Sequence, residues 1–177
     1  GSLFGAFKER AQPSQKLFES SVWSTLSRFD LRLPIAVEAE SSRIGRCLTP
    51  PRLWEAMLVA PRVFLRADAD ARAEYLLRAY SDLVAEPAIA IAAIERLRPF
   101  HAKERIEEWL GLAEARRFRD LATALICEHY DPVYERSRKR RDDRPAAEMR
   151  LDALGDVDLD SAAREIMIVA ERIFGRE

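Results

Sequence analysis

The sequence predicts an α/β fold, predominantly helical, in which a small parallel sheet is followed by a helical region. Three observations predict it. Two short apolar runs, at residues 33–39 and 62–67, flank a helical pattern with only brief links between them. From Asp68 onward apolar residues recur at helical spacing, punctuated by prolines. Apolar residues make up 48% and charged residues 33% of the 177, the balance of an ordinary globular chain long enough to build a core.

Each element has its own signature. Residues 1–11 carry two glycines and no clear period, and read as a loop. Pro13 and Ser14 open the first helix, because proline suits the first turn and the serine hydroxyl accepts a free amide there. Phe18, Val22, Leu26 and Phe29 follow at helical spacing and are expected to be its buried face. Leu33-Pro34-Ile35-Ala36-Val37-Glu38-Ala39 reads as a strand buried on both sides. Pro50 and Pro51 start a second helix with Leu53, Trp54, Met57 and Leu58 inside, and Pro61 ends it. Arg62-Val63-Phe64-Leu65-Arg66-Ala67 is a second strand, so a right-handed βαβ unit pairing the two runs in parallel is expected.

The helical region is read in the same way. Tyr75, Leu76, Ala79, Tyr80 and Leu83 form one stripe, and Pro87 begins a helix through Ile94 and Leu97. Ile106, Trp109 and Leu110 form the next stripe; Phe118, Leu121, Leu125 and Ile126 form the one after. Pro132 is expected to end that helix. Residues 135–144 hold six basic and three acidic residues and read as a solvated stretch. A last helix is expected from about Asp160 and Ser161, with Ile166, Met167, Ala170, Ile173 and Phe174 on one side. The organisation that follows is an α/β segment over 1–67, a helical region packed on it over 68–134, and a basic linker with the C-terminal helix over 135–177.

Several function classes are excluded. No stretch approaches the ~18 consecutive apolar residues of a membrane span, and no basic-then-apolar leader is visible, so a soluble, cytoplasmic protein without a membrane partner is expected. Cys47 and Cys127 stand far apart without paired spacing and read as two reduced thiols. The net charge of -1 leaves attraction to nucleic acid to a local patch. The six glycines form neither a phosphate cradle followed by lysine nor a dinucleotide fingerprint. There is no nucleophile elbow and no zinc-helix motif, and only His101 and His129 can serve as histidine bases. No complete catalytic site, cofactor or metal is expected. Two strands make a very small sheet, and both look too apolar for edges; segments elsewhere or a partner chain would have to supply the rest.

One constellation stands out. Glu38-Ala39-Glu40-Ser41-Ser42-Arg43-Ile44-Gly45 follows the first expected strand, and ligands of open α/β sheets bind at the carboxyl ends of parallel strands. There Glu40 is placed to hold a metal or a water, Ser41 to donate a bond and Arg43 to pair with a phosphate. A charged loop with no ligand explains the same string. Gln12-Pro13-Ser14-Gln15-Lys16 opens a helix, whose N-terminus suits an anion, yet the same residues explain themselves as caps. Arg72 either reaches a phosphate or flanks a helix start. His129 with Asp131 is short of a metal site, and helix termination with a buried hydrogen bond is the plainer role. Arg136, Arg138, Lys139, Arg140 and Arg141 suit RNA phosphates or a plain solvated face.

Read in order, these strings resemble the bacterial tRNA 2-selenouridine synthase family. The resemblance begins with Gly1-Ser2-Leu3-Phe4-Gly5, Gln12-Pro13-Ser14-Gln15-Lys16-Leu17-Phe18-Glu19 and Glu38 to Gly45. It continues through Ala60-Pro61-Arg62-Val63, Arg72, Tyr80, Leu97 with His101, Trp109-Leu110 and His129-Tyr130-Asp131-Pro132-Val133-Tyr134, and so covers about residues 1–140. The resemblance implies a partial parallel sheet of P-loop type, its phosphate loop lying before Gly1, and a missing N-terminal rhodanese-like domain as partner. It implies action on wobble 2-thiouridine of tRNA, through a geranylated intermediate made from geranyl diphosphate and with selenophosphate as selenium donor. On that reading Gln12, Ser14, Gln15, Lys16, Glu38, Glu40, Ser41, Arg43 and Arg72 bind substrate. The family's essential cysteine is matched by neither Cys47 nor Cys127. The chain is expected to contribute diphosphate and tRNA binding and to be inactive alone. The alternative is a non-catalytic helical module binding RNA or protein through residues 135–144; a kinase relative is disfavoured by the missing cradle.

Overall fold

The computed structural model describes residues 12–39, 41–140 and 145–175. They fall into two units, one taking the chain up to Arg62 together with Ile166 onward, the other running from Val63 to Glu165.

In the first unit the opening of α1 (Gln15–Leu26) is as its sequence requires. Ser14 adopts an extended conformation and its hydroxyl accepts the Leu17 amide at 3.3 Å. The helix buries none of its residues: Phe18, Val22 and Leu26 are half-buried and Phe29 is exposed, so the expected stripe is not a covered face. The strand expected at 33–39 is not formed. Leu33 and Val37 are 61% and 50% exposed, and no described segment pairs with this run. An apolar, β-branched run becomes a strand only when a neighbour takes its backbone bonds. Immediately beyond it, β1 (Arg43–Ile44) and β2 (Cys47–Leu48) form an antiparallel hairpin, Ile44 opposite Cys47. Gly45 turns it at φ 61°, a conformation that glycine enters freely. Pro51 then starts α2 (Pro51–Val59).

The second unit holds the parallel sheet, with a different partner from the one expected. β3 (Val63–Ala67) pairs with β4 (Ala147–Leu151), Val63 opposite Ala147 and Ala67 opposite Leu151. The βαβ unit between 33–39 and 62–67 is therefore absent. Strand β4 hides in a charged neighbourhood, with only Met149 buried between Glu148 and Arg150. Its charged residues are matched across the sheet, Arg66 to Glu148 at 2.7 Å and Arg150 to Asp68 at 2.9 Å.

Between the two strands run α3 (Ala69–Ala79), α4 (Ser81–Ala85), α5 (Pro87–Glu95), a 3₁₀ turn (Arg98–Phe100), α6 (Lys103–Glu114), α7 (Phe118–Leu125), a π turn (Ile126–Tyr130) and α8 (Asp131–Arg140). Helix α9 (Asp156–Phe174) follows β4. Packing is α3 on α7, α5 on α6 and α6 on α7. Ile94, Leu97, Ile106, Trp109, Leu110, Leu121, Leu125 and Ile126 fill the core, and Ala73, Ala90, Ala93 and Ala113 let the helices approach. Burying each large side chain contributes about 1.5–3 kcal/mol.

Two helix ends differ from expectation. Pro132 does not end a helix but occupies the first turn of α8, where its missing N–H costs nothing. The π turn carries the chain into α8, the Asp131 amide reaching back to the Ile126 carbonyl. Helix α9 starts at Asp156 rather than Asp160; two aspartates occupy its first turn, and Asp158 accepts the Gly155 amide at 3.0 Å. Both cysteines are free, Cys47 buried and Cys127 exposed. Among the described residues no helix is long and apolar enough to cross a membrane.

Candidate functional site

The two glutamines of Gln12-Pro13-Ser14-Gln15 act as a clamp on the hairpin. Gln12 donates from Nε2 to the Ile44 carbonyl and accepts the Arg46 amide on Oε1, both at 2.8 Å. Gln15 does the same to a single residue, donating to the Leu48 carbonyl and accepting the Leu48 amide, again at 2.8 Å each. A primary amide matches a backbone peptide donor for donor, so each side chain stands in for one unit of a neighbouring strand. The Cys47 thiol donates weakly to the Pro13 carbonyl at 3.5 Å. The four amide bonds lie in partly wet surroundings and contribute about 0.5–1 kcal/mol each. Residues some thirty positions apart, which the sequence offered as two separate candidates, are thereby fastened into one site.

At this site the capping and turn groups are committed. Ser14 caps α1, and the Ser41 hydroxyl accepts the Arg43 amide at 2.9 Å while turning back on the Arg43 carbonyl at 3.3 Å. The cations are not committed: Lys16, Arg43 and Arg46 are exposed, and none makes an ion pair among the described residues. Glu38 is exposed on the unpaired run that leads to the hairpin. Glu40 lies outside the described residues. Gln12 and Gln15, expected to touch substrate, therefore spend their amides on the scaffold that presents Lys16, Arg43 and Arg46.

A second polar cluster lies in the other unit. Arg72 on α3 donates twice to Asp131, at 2.7 Å on each carboxylate oxygen, and Asp131 holds its guanidinium firmly charged. Arg72 Nε is buried and unpartnered. His101 Nε2 lies 3.0 Å from His129 Nδ1, and the His101 ring stands edge-on to Trp109 with centroids 4.8 Å apart. Burial pushes both imidazoles below their ordinary value. Trp109 is fully buried with its indole N–H unpartnered. Arg105 donates to Glu128 Oε1 at 3.0 Å and lies equally close to Oε2 without an aligned bond. Among the described residues no three metal-ligating side chains gather at one point. Sequence reasoning set His129 beside Asp131 and left His101 apart; nothing in the spacing signalled that the two histidines meet.

Of the basic run, Arg136 is exposed and donates from Nε to the Pro132 carbonyl at 3.0 Å. Helix α8 carries the backbone of Arg138, Lys139 and Arg140, whose side chains lie outside the described residues, as does all of Arg141.

The first unit thus carries a hairpin fastened to a helix start, in a chain that is mostly helical with a small parallel sheet. The model of the tRNA 2-selenouridine synthase AAA domain matches residues 1–108, and the chain belongs to that family. The tRNA 2-selenouridine synthase of Alcanivorax borkumensis is 25% identical over 169 residues, which cover 80% of this chain and 46% of the relative. The tRNA 2-selenouridine synthase of Hahella chejuensis is 37% identical over 83 residues, covering 45% of this chain and 22% of the relative. The chain thus spans less than half the length of these relatives. No solved structure matches it.

Proposed function

We propose that this chain is the phosphate-gripping part of a tRNA 2-selenouridine synthase, an enzyme that converts wobble 2-thiouridine to 2-selenouridine through a geranylated intermediate with selenophosphate as selenium donor. Lys16 and Arg43 hold phosphate groups of tRNA or of geranyl diphosphate. Ser14 and Ser41 set the helix start and the turn from which those cations project, and Gln12 and Gln15 lock the two together. Glu38, exposed on the run that leads into the hairpin, belongs to the same proposed substrate-binding set. The observation that carries this reading is the double amide clamp: it joins two sequence-distant strings, both within the family match, beside cations that make no ion pair among the described residues.

The chain alone does not turn over on this reading. Its sequence holds no glycine-rich phosphate loop, and neither cysteine falls in a string that carries the family resemblance. The run at 33–39, apolar and unpaired among the described residues, would accept a strand supplied from outside this chain on this reading. Measuring 2-selenouridine formation in tRNA with this chain alone and with the N-terminal half added tests the proposal. Product only when both are present is expected; full activity from the chain alone would reject it.

A second reading, a helical module that binds RNA through residues 135–144, draws on the continuation of α8 as far as Arg140. Alanine at Arg138, Lys139, Arg140 and Arg141 would then abolish binding and its salt dependence, while unchanged tRNA affinity would remove that surface from the account.

A further inference from the structure

Polar contacts from several neighbours hold the joint between α7 and α8, among them the ion pair of Arg105 with Glu128 in the π turn. On one side His129, within the π turn, meets His101 on the link that precedes α6, with ring nitrogens 3.0 Å apart. On the other side Asp131, the first residue of α8, is gripped twice by Arg72 of α3 at 2.7 Å. A π turn carries a residue more than an α turn and is where a helix most readily changes register. Arg72 stays cationic at every pH at which the chain is folded, so only the histidine contact responds to protons near neutrality.

A histidine pair can lose or keep its bond depending on how many protons it holds. With none, one ring donates and the other accepts. With one, an imidazolium donates to a neutral ring, and the bond is charge-assisted. With two, no acceptor remains and two cations stand 3.0 Å apart. We propose that His101 and His129 form a proton-operated latch on the α7–α8 joint, closed with up to one proton and open with two, while the pairs of Arg72 with Asp131 and Arg105 with Glu128 remain.

The surroundings set where it opens. Burial disfavours charge on both rings; Glu128 favours it on His101, while Arg105 opposes it there and Arg136 opposes it on His129. Tyr130 packs edge-on to His129 at 4.9 Å and Trp109 on His101, so neither ring is freely hydrated. Both folded-state values lie below the ordinary 6.5. As pH falls below that value the unfolded or opened joint takes up protons first, so the latch is fully closed above it and is progressively lost below it. Because α8 leaves this joint carrying Arg136, the latch also sets the direction of the basic helix. That consequence rests on the RNA reading; the latch itself does not.

Hydrogen exchange of the intact chain from about pH 8 to about pH 5, corrected for intrinsic rates, tests it. Amides of residues 126–140 should lose protection by roughly tenfold at the acid end, while those of α5 and α6 keep theirs. His101→Gln and His129→Gln retain a neutral hydrogen-bonding group and should each remove the pH step. Protection that does not change with pH, or a step that survives both glutamine variants, would overturn the proposal. Should the variants fail to fold, the ring-nitrogen resonances of the unaltered chain decide. Two titrations split by about a unit or more support a coupled pair, and two independent titrations at one pH overturn it.

Discussion

Replacing Gly45 by alanine should loosen the hairpin and leave the rest of the molecule intact. Gly45 sits at φ 61°, where an alanine costs about 1 kcal/mol. Its new Cβ would fall 2.0 Å from Gln12 Nε2 and 2.6 Å from Gln12 Cδ. The glutamine side chain is flexible, so it swings away rather than forcing the backbone, and the bonds to the Ile44 carbonyl and Arg46 amide go with it. Each contributes about 0.5–1 kcal/mol in these partly wet surroundings, which brings the local loss to about 2–3 kcal/mol. At 1.4 kcal/mol per tenfold, the Arg46 amide should exchange roughly 30- to 150-fold faster. NMR-detected hydrogen exchange reads this directly, with core amides such as those of Ile94 and Ile106 as internal controls. Gln12→Ala removes the bonds without the backbone strain and should give about 1–2 kcal/mol of the effect. An Arg46 amide equally protected in Gly45→Ala and the unaltered chain would refute the clamp.

Other expectations follow from the same geometry. Gln15→Glu keeps the acceptor for the Leu48 amide but turns the donor to its carbonyl into a second acceptor, so it should destabilise the hairpin by about 1–2 kcal/mol, measured as faster exchange at Leu48. Trp109→Ala should lower the chain's unfolding free energy by about 3–5 kcal/mol in denaturant titration; Trp109→Phe should cost distinctly less, since it removes an indole N–H that has no partner. Arg72→Met leaves the Asp131 carboxylate half-buried without its partner and should cost about 1–3 kcal/mol, a range reduced because both groups are about a third exposed. In all variants that keep both histidines, stability should hold above about pH 6.5 and decline as pH falls below it.

The parts of the fold legible in the sequence are those set by local chemistry. Ser14 and Pro51 fix helix starts through bonds that they make or cannot make within one turn, and the Ile106, Trp109 and Leu110 stripe and the Phe118, Leu121 and Leu125 stripe are buried as their spacing requires. What failed depended on partners. Residues 33–39 have the composition of a buried strand, but composition cannot supply the neighbouring backbone. Strand β4 was invisible because Glu148 and Arg150 obscure Met149, and their charges make sense only beside Arg66 and Asp68. Pro132 looked like a terminator because the π turn that delivers it into a new first turn has no signature in side-chain spacing. The site was half legible. Its two strings were both singled out, but that Gln12 and Gln15 fasten one to the other emerged only from the glutamine bonds.

The salt dependence of tRNA affinity tests the account most directly. The intact chain should bind tRNA with an affinity that falls linearly against the logarithm of salt concentration. Lys16→Ala and Arg43→Ala should each weaken binding at low salt and make that slope shallower by about one. Slope and affinity unchanged in both variants, with the hairpin amides still protected, would contradict the claim that these cations grip phosphate.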